Sequence, residues 1–171
     1  YLLYYLVAFL FKAFGASLFT LRMVGVLSGV VSVLAVCGIA RRLWGRRIGW
    51  YAALFAVCSP MDLAYGRTGH VPLLSNLLFM PGVYFLLVAW SSGKARWFTL
   101  SGALLGLSVS TFYNSKFLAP IVVALGAPAV LFLLPSAAWR RRIAGSACLA
   151  ISFALASFPT LSYILTQPGK A

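Results

Sequence analysis

The sequence predicts an all-α fold, a polytopic transmembrane helical bundle, and three observations support it. Of the 171 residues, 63% are hydrophobic and 9% are charged, whereas soluble domains carry about 25% charged residues. The hydrophobic residues fall into long runs, and basic residues and tryptophans cluster between alternate runs. A soluble chain of this length cannot bury so much apolar surface in one core, so lipid is the solvent that fits.

Six apolar runs approach the ~20 residues that a spanning helix needs. They cover residues 17–40, 48–65, 72–90, 98–113, 117–135 and 143–165. We place a hairpin at the polar stretch Tyr113–Lys116, because one helix over 98–135 would be about 57 Å long, nearly twice the hydrocarbon thickness. Residues 1–14 are apolar but short, and predict an interfacial or partial helix. We therefore expect one transmembrane domain over residues 1–171, with about six spanning helices.

The basic residues predict an orientation in the membrane. Nine of the fourteen Lys and Arg residues lie in the first, third and fifth connections between the runs, and all five tryptophans flank these connections. The residues are Arg41, Arg42, Arg46, Arg47, Lys94, Arg96, Arg140, Arg141 and Arg142, with Trp44, Trp50, Trp90, Trp97 and Trp139. This face is predicted to be cytoplasmic and to contact anionic lipid headgroups. Because these cations punctuate apolar runs and form no polar face, we expect no nucleic-acid binding.

The cysteines and the paired glycines predict how the helices pack. The cysteines lie within apolar runs without metal-ligand spacing, which predicts buried, small hydrophobic side chains. They are Cys37, Cys58 and Cys148. Gly25/Gly29 and Gly102/Gly106 have GxxxG spacing, which favours close helix packing within the bundle over a dimer interface. No His/Cys cluster or Gly-rich phosphate loop occurs, so the sequence indicates no cofactor and leaves a requirement for a divalent metal open.

Few ionisable residues remain for the predicted extracytoplasmic side, where such residues are costly and suggest function. Arg67 and His70 lie in SPMDLAYGRTGH after the second run, and Lys116 lies in the hairpin. Asp62 is the one acidic residue, so an anionic ligand such as a lipid-linked sugar phosphate would balance these cations. In the alternative interpretation, Arg67 pairs with Asp62, while Lys116 and Arg22 extend to headgroups.

Neighbouring polar residues extend the candidate substrate-binding set. Tyr65, Tyr113 and Asn114 can hydrogen-bond or stack against a sugar, although interfacial tyrosines are also common as anchors. His70 can act as an acid or base near neutral pH, but a lone histidine in a loop more often has no catalytic role. Asp62 is the one carboxylate available as a general base, and its position near a helix end favours a role as a charge partner.

Five segments occur in an order that resembles a known family. They are LYYLVAFLFKAFG, SLFTLRMVGVLSGVVSVLAVCGIARRLWGRRIGWYAALFAVCSP, LAYGRTGHVPLLSNLLFMPGVYFLL, GALLGLSVSTFYNSKFLAPIVV and FPTLSYILTQPG. Together they resemble the central transmembrane part of bacterial family 39 glycosyltransferases, the PMT-like or aminoarabinose-transferase-like proteins of the GT-C superfamily. The resemblance covers essentially the whole chain.

The resemblance implies an enzyme of the bacterial cytoplasmic (inner) membrane that transfers a sugar from a polyprenyl-phosphate donor to an acceptor hydroxyl at the extracytoplasmic face. Basic residues hold the lipid phosphate in such enzymes. Arg67, after SP-x-x-L-x-Y, and Lys116, after GL-x-x-x-T-x-Y, match those positions. The family's base is an acidic residue in the first extracytoplasmic loop. Since residues 1–61 contain no Asp or Glu, we expect that base upstream of Tyr1, in a longer membrane domain.

Two further functions stay open. The missing carboxylate also fits a non-catalytic accessory or structural subunit of a larger membrane complex, with other membrane subunits as partners. A transporter or lipid flippase receives less support, because no charged residue lies in the middle of an apolar run along a pathway.

Overall fold

The computed structural model describes residues 8–12, 15, 17–60, 71–111, 113–133 and 139–166. The helices are α1 (Leu18–Trp44), α2 (Arg46–Val57), α3 (Val71–Ser92), α4 (Ala95–Val109), α5 (Tyr113–Leu133) and α6 (Trp139–Thr166). Residues 8–12 are also helical, and these described stretches contain no strand. Each apolar run of the sequence thus supplies one helix, which confirms the all-α transmembrane bundle.

Four of these helices are long and apolar enough to span a membrane. The spans are Arg22–Trp44, Ser75–Ser92, Ser115–Phe132 and Ile143–Thr160. The described parts of α2 and α4 are shorter, with 12 and 15 residues, or about 18 and 22 Å. The described residues therefore contain four full-length spans where about six were expected.

The shortening of α4 has a local cause. The run over 98–113 predicts a helix to its end, but α4 stops at Val109. There the Ser110 and Thr111 N–H groups donate to the Leu107 and Ser108 carbonyls, both at 3.1 Å. These bonds reach back three residues and tighten the last turn. The structure separates α4 from α5 as the hairpin argument predicts, but Tyr113–Lys116, the predicted turn, belongs to α5.

Glycines and a serine set several other helix ends. Ser17 caps α1 by accepting a hydrogen bond from the Thr20 N–H at 3.2 Å. Gly45, with φ 95°, reverses the chain between α1 and α2, and Gly93, with φ 62°, follows the end of α3. The Gly93 N–H donates to the Ala89 carbonyl at 2.8 Å, as glycines that end helices commonly do.

Four helices include basic residues that the sequence places in loops. Arg41 and Arg42 form part of the last turn of α1, α2 and α4 begin at Arg46 and Ala95, and α6 begins at Trp139, before three arginines. The placement in loops is therefore wrong for Arg41, Arg42, Arg46, Arg47, Arg96, Arg140, Arg141 and Arg142. A cation at a helix C-terminus is favoured by the helix dipole, so the end of the apolar run does not end the helix.

Contacts between helix ends define an up-and-down topology. At the C-terminal ends of α1 and α3, Arg42 donates to the Ser91 hydroxyl at 2.9 Å. At the N-terminal ends of α3 and α5, the Ser75 and Ser115 hydroxyls are in hydrogen-bond contact. Hence α1, α3 and α5 run in one direction, and the intervening helices return in the other.

The core lies where α4 packs between α3 and α6. In α4, a Cβ added at Gly106 would lie 2.6 Å from the Phe153 carbonyl oxygen of α6. Gly102, one turn earlier, lies against the α6 backbone at Leu149. The predicted Gly102/Gly106 pair is thus a packing face within the bundle. The largest fully buried apolar side chains are Phe98, Leu105, Leu149 and Val130.

The topology brings the nine cations and five tryptophans of the three basic connections to one end of the bundle, the basic end. Two of the cations lie over tryptophan rings, Arg41 at 5.5 Å from the Trp50 centroid and Arg96 at 5.1 Å from the Trp97 centroid. The opposite end, with the first residues of α1, α3 and α5 and the last of α2, α4 and α6, is the polar end. The two-faced charge arrangement follows from the fold, and the cytoplasmic location of the basic end stays a prediction.

The cysteine prediction is confirmed in part. Cys37 is buried, Cys148 is half-buried and all three thiols are free. Cys58 is exposed, so its predicted burial is wrong. It follows α2, an outer helix on which most side chains are exposed, and its apolar neighbours in sequence therefore lie on the outside of the bundle.

Candidate functional site

The residues predicted to bind substrate belong to the polar end. Lys116 lies in the first turn of α5 and is half-buried, and Tyr113 and Asn114 lie in the same turn. The sequence placed Lys116 at the tip of the hairpin, whereas α5 already begins at Tyr113. Lys116 is therefore anchored on a helix, which restricts its backbone more than a loop would.

The other predicted residues lie in one segment outside the described residues. Tyr65, Arg67 and His70, together with Asp62, belong to residues 61–70, so no contact of theirs tests the prediction. The described residues on either side of this segment are Pro60 and Val71. Both belong to the polar end.

A pair of buried serines links the start of α3 to the start of α5. The Ser75 and Ser115 hydroxyls are in hydrogen-bond contact, and both residues are buried. Ser75 follows Val71, the first residue of α3, by one helical turn, and Ser115 is the chain neighbour of Lys116. The chain that emerges from residues 61–70 therefore enters the bundle beside Lys116.

A second hydroxyl pair links α4 to α6 at a similar height. The Ser110 and Thr160 hydroxyls are hydrogen-bonded at 2.6 Å, and the Thr111 hydroxyl donates to the Ser108 carbonyl at 2.6 Å. We call Ser75, Ser110, Ser115 and Thr160 the hydroxyl layer. Its members come from α3, α5, α6 and the end of α4.

The position of this layer along the bundle follows from the helix register. Gly145 of α6 lies against Phe98 and Val130, which marks a common level near the basic end. At about 1.5 Å per residue, the hydroxyl layer and Lys116 lie about 20 Å above that level. The hydrocarbon core is about 30 Å thick. Lys116 therefore lies near the end of the Ser115–Phe132 span that is opposite to the tryptophans of the basic end.

The early end of α4 contributes to the arrangement of the hydroxyl layer and Lys116. Counted from the same level at about 1.5 Å per residue, α4 ends about 16 Å away and α5 begins about 26 Å away. The backbone of α4 thus stops several ångströms below the start of α5. Ser110 and Thr111, which follow α4, are half-buried, and Ser110 contacts Thr160 of α6.

The described part of the site has binding groups and no acid. Lys116 supplies up to three N–H donors and each hydroxyl a donor and acceptors. The described residues include no carboxylate side chain and no group of His, Cys and acidic residues that could hold a metal ion. Arg22, in the second turn of α1, is exposed at the same end. This arrangement can bind an anion.

Sequence reasoning missed most of the hydroxyl layer. Ser115 was noted only as part of a polar break, and Ser75, Ser110 and Thr160 were not singled out. Serines within apolar runs are a weak signal, because many bond to their own helix, as Ser28 does to the Val24 carbonyl at 2.6 Å. Only the packing shows which of them meet across helices.

Comparisons with known proteins add a family assignment. A family model described as dolichyl-phosphate-mannose-protein mannosyltransferase matches residues 1–163. Comparisons with curated proteins and with solved structures give no match. The family match includes residues 61–70, the start of α5 and Thr160, and it agrees with the membrane glycosyltransferase class that the motif order indicates. This chain, a bundle of apolar helices, belongs to the dolichyl-phosphate-mannose-protein mannosyltransferase family.

Proposed function

We propose that this chain forms the donor-binding part of a membrane glycosyltransferase that takes a sugar from a polyprenyl-phosphate carrier. The observation that carries the proposal is the position of Lys116, half-buried on α5 at the level of the hydroxyl layer. The family's description supports a sugar linked to a lipid phosphate as the donor. The proposed subtype is the bacterial family 39 or aminoarabinose-transferase-like group, with the polar end extracytoplasmic in the inner membrane.

The donor's chemistry requires a site of this kind. Its isoprenoid tail stays in the hydrocarbon, so the attached phosphate has to bind close to the membrane interior. An ammonium group such as that of Lys116 donates charge-assisted hydrogen bonds to phosphate oxygens, and these bonds are strong where little water competes. We propose that Lys116 and Arg67 contact the phosphate oxygens, and that Tyr65, His70, Tyr113 and Asn114 contact the sugar.

The reaction follows from those contacts. The acceptor hydroxyl attacks the anomeric carbon of the sugar, the bond from that carbon to the phosphate oxygen breaks, and the carrier phosphate leaves with the electron pair. Negative charge grows on the phosphate in the transition state, where Lys116 and Arg67 stabilise it. The acceptor's proton passes to a carboxylate, and residues 1–61 carry none.

Donor binding tests the proposal directly. The full-length protein in phosphatidylcholine nanodiscs would be titrated with a fluorescent polyprenyl phosphate. Arg67→Gln combined with Lys116→Gln is expected to raise the Kd about 100-fold, because each charge-assisted contact contributes about tenfold. Lys94→Gln removes one charge at the basic end and serves as the control, with a Kd that stays within about twofold. Unchanged binding by the double variant would refute the assigned roles.

The alternative function is a non-catalytic subunit of a larger membrane complex. It is favoured by one observation, the absence of Asp and Glu from residues 1–61. Transfer from a radiolabelled polyprenyl-phosphate sugar distinguishes the two. Turnover by the purified full-length protein alone supports the enzyme, whereas turnover that requires an added membrane subunit supports the alternative.

A further inference from the structure

Arg41 and Arg42, consecutive at the end of α1, are held in different directions by rings on two neighbouring helices. The Arg42 guanidinium carbon lies 5.4 Å from the centroid of the Tyr84 ring in α3, and its Nη1 donates to the Ser91 hydroxyl at 2.9 Å. The Arg41 guanidinium carbon lies 5.5 Å from the centroid of the Trp50 ring in α2. Both arginines are exposed, yet both are fixed around the end of the helix.

Glycines make room for these contacts. Gly38 lies one turn before Arg42 on the same face of α1, and a Cβ there would lie 2.6 Å from Cε2 of Tyr84. The absence of a side chain at Gly38 lets the ring lie against α1 below the guanidinium. A Cβ at Gly49 would lie 3.0 Å from Cδ of Arg41, so this glycine accommodates the Arg41 stem against α2.

The surroundings of the two arginines attract anions. The basic end carries nine of the chain's fourteen Lys and Arg residues, and Asp62, the one acidic residue, belongs to the segment that joins α2 to α3 at the opposite end. Trp44 and Trp90 also lie at the basic end, and tryptophans concentrate at the level of lipid headgroups. The anions most concentrated at that level are the phosphates of anionic phospholipids.

We propose that Arg42, supported by Tyr84 and Ser91 and flanked by Arg41, binds the phosphodiester headgroup of an anionic phospholipid such as phosphatidylglycerol. A guanidinium has five N–H donors, and the contact with Ser91 leaves an edge that can bind two phosphate oxygens. The ring and the hydroxyl already restrict the side chain, so phosphate binding loses less rotamer entropy than at an arginine in water. The site lies at the end opposite to the proposed donor site and does not depend on that function.

Native mass spectrometry of the full-length protein, titrated with phosphatidylglycerol in detergent, measures the Kd of the tightest-bound lipid. Arg42→Gln and Tyr84→Leu are each expected to raise this Kd about tenfold, the value of one bidentate charge-assisted contact. Arg42→Lys is also expected to raise this Kd about tenfold, because an ammonium group lacks the planar pair of N–H donors that can bind two phosphate oxygens. Ser91→Ala, which leaves the ring in place, is expected to raise it about threefold.

Two controls separate a built site from diffuse charge attraction. Tyr84→Phe keeps the ring, and Arg140→Gln removes an equal charge from the exposed start of α6, so both are expected to stay within about twofold of the parent Kd. An equal loss in Arg140→Gln, or unchanged binding in both Tyr84→Leu and Ser91→Ala, would overturn the proposal. Displacement of the lipid by millimolar inorganic phosphate would also overturn it, because the site would then select a free anion.

Discussion

At the scale of single residues, Gly106 determines how closely α4 approaches α6. An added Cβ would lie 2.6 Å from the Phe153 carbonyl oxygen and 2.7 Å from the Ala156 Cβ, and neither atom belongs to a flexible side chain. We expect Gly106→Ala to lower the free energy of unfolding by about 1–3 kcal/mol, the usual range for overpacking. Unfolding by sodium dodecyl sulfate in mixed micelles, followed by circular dichroism, measures the loss.

Gly126 of α5 provides the matched control. A Cβ there would lie 3.3 Å from Cδ2 of Leu86, the mobile end of a side chain that can move aside. Gly126→Ala is therefore expected to change the free energy of unfolding by no more than about 0.5 kcal/mol. Equal destabilisation by the two variants would contradict the specific α4–α6 contact.

Gly106 also shows what the sequence specifies at the scale of single residues. The GxxxG spacing of Gly102 and Gly106 predicts a close helix contact, and that prediction is confirmed. The contact's partner, α6, begins more than 30 residues later, and no local pattern identifies it. The pairing of Ser110 with Thr160 is hidden for the same reason, because a hydroxyl has no sequence feature that separates an interhelical bond from a bond to its own helix.

At the scale of elements, two glycine turns differ in the backbone conformation they require. Gly45 has φ 95° and ψ 173°, a region that is essentially restricted to glycine. Gly93 has φ 62°, which matches the left-handed region that asparagine tolerates. Gly45→Asn is therefore expected to lower the free energy of unfolding by about 1 kcal/mol more than Gly93→Asn.

Unfolding of the two variants under the same micellar conditions gives the comparison. A Cβ has open space at both positions, so the difference reports backbone conformation and not packing. Equal losses in the two variants would show that the α1–α2 turn relaxes to another conformation. An exposed polar residue on the basic end, such as Ser92→Asn, provides a reference for the effect of the new side chain alone.

The ends of the helices show where prediction from apolar runs loses accuracy. The number and order of the described helices follow from the apolar runs, but the runs misplace several ends. α1 extends to Trp44 because cations are stable at a helix C-terminus, and α4 stops at Val109 because the last turn tightens. Hydropathy records which residues tolerate lipid, whereas hydrogen bonding of the last turn decides where a helix ends.

At the scale of the whole molecule, the fold predicts that two groups of positions react with thiol reagents from opposite sides. On a background without native cysteines, Lys94→Cys reports the basic end and Ser17→Cys, at the exposed start of α1, reports the polar end. With the proposed orientation, a membrane-impermeant maleimide is expected to label Ser17→Cys in intact cells and Lys94→Cys only after permeabilisation. Labelling of both from one side would contradict the up-and-down topology, and the reverse pattern would invert the proposed sidedness.

The sequence by itself determined that the chain lies in lipid and that it is helical. It also determined the order of the six described helices and the two-faced distribution of charge. All of these depend on composition and on spacing along one chain. It also pointed to the family and to Arg67 and Lys116 as candidate phosphate contacts. Only the tertiary structure decided that α4 packs between α3 and α6, that hydroxyls from four helices lie at one level with Lys116, and that Arg42 rests on Tyr84 and Ser91. The two hydroxyl pairs and the bond between Arg42 and Ser91 join residues 40 to 50 positions apart, and helix packing alone determines which of them meet.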